Sequence, residues 1–154
     1  MSDRSSATIT IGGRLTRESF LALAQAIADE GLSADWDGPW FTPADAVVGQ
    51  PLRLKAREVA GGTFDELEAW CQDNGLPFVR WCGGYPGSWS PERVVFSGEG
   101  EPARYLADED DEVLLDAFTV RELGSMAAIE AYFADAAFMV PPLVILDDGG
   151  GGDR

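Results

Sequence analysis

Histidine is absent from this 154-residue chain. That removes the commonest general base and the commonest zinc ligand, so Ser-His-Asp and Cys-His mechanisms are excluded. Cysteine is scarce: Cys71 and Cys82 alone give no disulfide framework, and their spacing fits neither a CxxC redox motif nor a zinc site. Both read as core thiols, since free cysteine is among the most buried residue types. Long apolar runs are missing too. The best candidate, Phe138 to Leu146, is interrupted by Pro141 and Pro142 and falls short of the roughly 18 to 20 residues of a membrane span. The polar opening MSDRSSATIT has no apolar core of a signal peptide, so the expected compartment is the cytoplasm.

Basic residues are the other scarcity. Lys and Arg number 11 against 27 Asp and Glu, a formal net charge of -16. A surface of that sign repels nucleic acid and anionic membranes, and attracts a partner with a basic surface. The imbalance is uneven: residues 1–93 hold 13 acids and 8 bases, residues 94–154 hold 14 and 3. The acidic pole is therefore C-terminal.

What is present describes one α+β domain, expected over residues 1–148, with a disordered Gly-rich tail at 149–154. Thr8 to Ile11 alternates in the manner of a half-buried strand. Thr16 caps a helix whose apolar positions Phe20, Leu23, Ala24 and Ile27 share one face, with Gly31 placed to end it. Leu32 to Trp36 reads as a strand. The order then repeats: strand residues Leu52 and Leu54, a Gly61-Gly62 pair, a Thr63/Glu66 capping box opening a helix, Gly75, and a strand ending in Trp81. Phe20, Leu23, Ile27, Gly31 and Leu32 recur at the same intervals as Phe64, Leu67, Cys71, Gly75 and Leu76. Two such βαβ units predict a ferredoxin-like sheet, antiparallel or mixed, with helices on one face. Beyond it, Phe78 to Trp81 should form a hairpin with Arg93 to Phe96, and Arg104 to Leu106 should pair with Val113 to Leu115 across the acidic run Asp108 to Glu112, which reads as a turn. A last helix is expected from Ser125 to the Pro141-Pro142 stop, followed by an edge strand at Leu143 to Leu146.

No residue earns a catalytic assignment, and no cofactor or metal is expected. An EF-hand loop beginning at Asp108 would need Gly at its sixth position and Glu at its twelfth, where Val113 and Thr119 stand. Gly12-Gly13 and Gly61-Gly62 each precede a helix without matching a phosphate-binding motif, and read as turns. Two sets of residues remain as candidate contacts for a protein partner. One is the acidic group Asp108, Glu109, Asp110, Asp111, Glu112 and Asp116. The other is aromatic, Trp36 and Trp40 after one βαβ unit and Trp81, Tyr85 and Trp89 after the other, which form one patch if adjacent strands bring them together and otherwise cover the open end of a small core. Together they predict a non-enzymatic, acidic protein-binding module. Its sharpest form is a nucleic-acid mimic that blocks a Lys/Arg groove, by analogy of charge and size with anti-CRISPR and anti-restriction proteins. The alternative is a small-ligand-binding or enzymatic domain with an aromatic-lined pocket.

Overall fold

The computed structural model describes residues 4–47 and 49–146. Its frame is a five-stranded antiparallel sheet built from β1 (Arg4–Ile11), β3 (Leu52–Ala60), β4 (Phe78–Cys82), β5 (Glu92–Phe96) and β6 (Ala103–Leu106), in the order β3-β1-β4-β5-β6. A short β2 (Gly13–Thr16) leaves this sheet and pairs in parallel with β7 (Leu143–Leu146). Leu143 to Leu146 thus forms a strand, but on β2 rather than on an edge of the main sheet. Gly12 allows the departure, because a Cβ there would lie 1.7 Å from the Pro141 carbonyl oxygen.

Alternation along β1 sorts its side chains: Ala7, Ile9 and Ile11 are buried, and Thr8 and Thr10 face the other way. The buried set meets α1 (Arg17–Glu30) and α2 (Asp65–Asp73), which contribute Phe20, Leu23, Ile27, Leu67 and Cys71 to one core. Helix α1 is built as its sequence predicts. Thr16 Oγ1 accepts from Ser19 N at 3.1 Å, and Gly31 ends it at φ 72°.

Helix α2 departs from its predicted start. Its N-cap is Phe64, and the Thr63/Glu66 box is not made. Two other carboxylates take the free amides instead: Glu68, within α2, accepts from Phe64 N at 2.8 Å, and Glu30, in the last turn of α1, accepts from Leu67 N at 3.2 Å. The strand expected at Leu32 to Trp36 is reduced to single bridges, Ser33 with Lys55 and Ser33 with Trp40. Asp37, at φ 62°, and Gly38 turn the chain there, ending any extended run. β3 and β4, which flank α2 in the chain, both run antiparallel to the β1 between them and so parallel to each other.

The predicted β4–β5 hairpin forms, with Phe78 opposite Phe96 and Trp81 opposite Arg93. β6 pairs with β5, whereas Val113 to Leu115 reaches it only through the Ala107–Val113 bridge and a bond from Leu114 N to Leu106 O. The opposite face of the sheet carries a second, smaller core of Val79, Val95 and Tyr105. It is covered by Ala136 and Tyr132 of α4 (Met126–Ala136) and by Phe138 and Val140. α4 begins at a Ser125 cap as predicted, but a separate short α3 (Ala117–Leu123) precedes it, capped by Asp116 and ended by Gly124. The Gly-rich tail expected at 149–154 lies outside the described residues.

Candidate partner-binding surfaces

The acidic run folds into a turn held by its own carboxylates. Asp108 Oδ1 accepts from Asp110 N and Glu112 N, each at 2.9 Å, and Asp111 adopts φ 62°. Glu109 Oε2 accepts from Gly84 N at 3.0 Å, tying the turn to the loop after β4. Asp111 Oδ2 lies 2.7 Å from Arg93 Nη1, while Arg93 Nε donates to Ala136 O at the C-terminal end of α4. One guanidinium therefore links the turn, β5 and α4. Burial pushes the Asp111 carboxyl above its ordinary range, against the downward pull of Arg93. Asp116 caps α3 by accepting from Thr119 N at 2.8 Å, and these bonds hold its carboxyl below the usual value. Of the six acidic candidates, Glu109, Asp110, Glu112 and Asp116 are exposed and form no ion pair among the described residues, and the first and last of these carboxylates accept backbone N–H bonds.

The aromatic candidates separate into two places. Trp81 is buried and donates from Nε1 to Asp108 O at 2.9 Å, so it supports the acidic turn from beneath. Trp89 is half-buried, donates to Gly83 O, and stacks on Tyr85 at 5.4 Å. Those two rings line a shallow depression of about 470 Å³ with Glu109. Trp36 and Trp40 instead border a groove of about 660 Å³ with no lining residue in common with the first. The rings after β4 and those after α1 thus do not share a depression, because β1 and β3 separate β4 from the Ser33–Trp40 loop. Within the groove Trp36 lies under two cations, Lys55 Nζ at 5.6 Å and Arg57 Cζ at 5.0 Å from the ring centroid. Trp40 is 68% exposed.

A third surface has no counterpart in the sequence reading. The α3–α4 hairpin and its flanks leave Phe118 66%, Met126 67% and Met139 85% exposed, with Leu114, Val120 and Phe133 also open to solvent. α4 carries only Glu130 and Asp135 as charges, and of its residues only Ala136 is buried. The signal was present in composition: a helix apolar on nearly every side has more apolar surface than one sheet contact covers.

Cys71 is buried, with its thiol pushed up to about 12 by burial and by the nearby Glu68. Among the described residues, no group of three or more His, Cys, Asp or Glu side chains is placed to hold a metal ion. No described helix is long and apolar enough to cross a membrane. No family model, curated protein or solved structure matches the chain.

Proposed function

We propose that the protein is a non-enzymatic acidic binding module, acting in the cytoplasm, whose partner is a protein with a basic surface. The observation that carries this reading is the α3–α4 hairpin. Phe118, Met126 and Met139 stand exposed in the half of the chain that holds 14 acids and 3 bases. Exposed apolar anchors within a polar rim are the usual anatomy of a specific interface, and an excess of one charge sign suits a partner of the opposite sign. Its long-range field accelerates the encounter, and the apolar side chains hold the complex once formed. In its sharpest form the module mimics nucleic acid, with Asp110 and Glu112 standing where phosphates would meet a Lys/Arg groove.

The same reading extends to the fold. Outward from β4 the order is β1, β3 and then Ser33, which is the order of a ferredoxin-like sheet whose second strand has shrunk to one residue pair. Two split β-α-β units, one through α1 and one through α2, account for the recurring Phe20 and Phe64 helices.

Affinity capture from the host at low and at moderate salt, followed by competition of the captured partner with duplex DNA, tests the proposal. Displacement by DNA, and weaker capture as salt rises, are the expected results. Binding insensitive to salt and to DNA removes the mimic reading, and binding indifferent to Met126→Ser with Phe118→Ser removes the hairpin as its anchor.

A further inference from the structure

β3 ends the sheet on one side, and among the described residues only the Ser33 bridge lies along that edge, although Glu58 O accepts from Arg4 Nη1 and Val59 O from Gly62 N near its end. Ser33 meets it at a single point, donating from N to Lys55 O at 3.1 Å and accepting from Lys55 N at 2.9 Å. Among the described residues no strand lies on that side of Arg57 to Ala60. Those residues form one wall of the groove of about 660 Å³, whose other walls are the end of α1, the Asp35–Trp40 loop and the first turn of α2. An unpaired edge is a template for an incoming strand, and in folded proteins such edges are ordinarily covered or blocked.

The lining selects the charge of what can enter. It holds seven carboxylates against three cations. The cations are already engaged: Arg57 Nε is 2.7 Å from Asp37 Oδ1, Arg4 Nη1 donates to Glu58 O at 3.2 Å, and Lys55 lies over Trp36. Asp35, Glu58, Asp65 and Glu66 form no ion pair among the described residues. Trp40 offers an open ring to the stem or head of a Lys or Arg.

We infer that this groove takes an extended, Lys/Arg-bearing segment of the partner protein, added as a further strand on the outer edge of β3. The inference rests on the reading that the partner is basic, and names a second contact with it, away from α3–α4. Main-chain bonds to the edge supply affinity, and alternate side chains of the segment reach the carboxylates. A second copy of this chain is a poorer occupant, since each copy carries a formal charge of -16.

The test uses the full chain and a synthetic peptide of about ten residues alternating Lys and Val, long enough to span an ordinary strand. A second peptide of the same sequence is N-methylated at every other residue, which removes ladder donors from one edge and leaves charge intact. Binding is followed by tryptophan fluorescence and by amide exchange. Slowed exchange at residues 57–60, with affinity lowered about tenfold or more by N-methylation and lowered again by Trp40→Ala, is the expected result. Equal binding of the two peptides overturns strand addition. Protection confined to residues 117–136 overturns the edge site while leaving the acidic-module reading standing, as does failure of the peptide to bind when the captured partner still does. A dimer that protects residues 57–60 without peptide assigns the edge to a second copy and also overturns the inference.

Discussion

Arg80 is wholly buried on β4, and its Nε donates to Glu68 Oε2 on α2 at 2.9 Å. Its other nitrogens reach Gly62 O at 3.1 Å and Glu92 Oε2 at 3.0 Å, and Glu92 in turn meets Arg104 at 2.9 Å. The same Glu68 oxygen accepts from Phe64 N at the start of α2. A guanidinium on the core face of the sheet is affordable only because its donors are met in this way. Burial nevertheless pushes Glu68 up more than Arg80 pulls it down.

Breaking that pair from one side should be expensive. Glu68→Ala leaves Arg80 buried with one fewer counter-charge and Phe64 N unbonded, and is expected to cost about 3 to 5 kcal/mol. The double variant Glu68→Leu with Arg80→Met replaces both charges by apolar volume and should recover much of that loss. Urea unfolding of the single and double variants measures the coupling; strictly additive costs would contradict the account.

Stability should rise on mild acidification. Glu68, Glu30 and Asp111 have carboxyls raised by burial, so the folded state binds protons more readily than the unfolded chain. For a raised carboxyl, stability falls as pH rises through the window between its unfolded and folded values, and returns as pH is lowered. The window opens above 4.5 for the two glutamates and above 3.8 for the aspartate. Asp116 and Asp37 are lowered, by hydrogen bonds from Thr119 and Arg57, and their contribution is lost only as pH falls below 3.8. The urea midpoint should therefore be higher near pH 5 than at pH 7, and Glu30→Gln should flatten the difference. A midpoint that falls steadily from pH 7 to 5 would refute this.

Both thiols should be silent in the native state. Cys71 is pushed up to about 12, and Cys82 is raised chiefly by burial. Ellman's reagent at pH 8 should react slowly with folded protein and with both cysteines in denaturant. Fast native reaction at Cys71 would contradict its place in the core.

The exposed hairpin should tolerate polar substitution without loss of stability. Met126→Ser and Phe118→Ser are expected to change unfolding free energy by less than about 0.5 kcal/mol. Phe64→Ala, in the core, should cost about 3 to 5 kcal/mol. A large cost at Met126 would mean that it packs within the domain rather than serving a partner.

Legibility in the sequence followed the range of the interaction. Helix α1 was readable from end to end because Thr16, its apolar stripe and Gly31 lie within sixteen residues of one another. Ser125 announced α4 for the same reason. The start of α2 was not readable, since the carboxylate that takes Leu67 N is Glu30, 37 positions earlier. The aromatic residues were legible as a class and not as a surface: Trp81 and Trp89 direct their indoles to backbone carbonyls, while Trp40 remains open. The acidic run was legible as a turn, but the ion pair of Asp111 with Arg93 and the bond from Gly84 to Glu109 needed β4 and β5 in place.

The sequence by itself determined the charge, the absence of histidine chemistry, an α+β chain, and the helices and hairpin whose caps and periodicity are local. Only the tertiary structure decided which side chains remain outside. It sent β7 to β2, left the outer edge of β3 with no neighbour but Ser33 among the described residues, and covered one side of an apolar helix while exposing Phe118, Met126 and Met139. Periodicity states that a face is apolar, but what covers that face depends on strands and helices distant in the chain, and so on packing that no local pattern encodes.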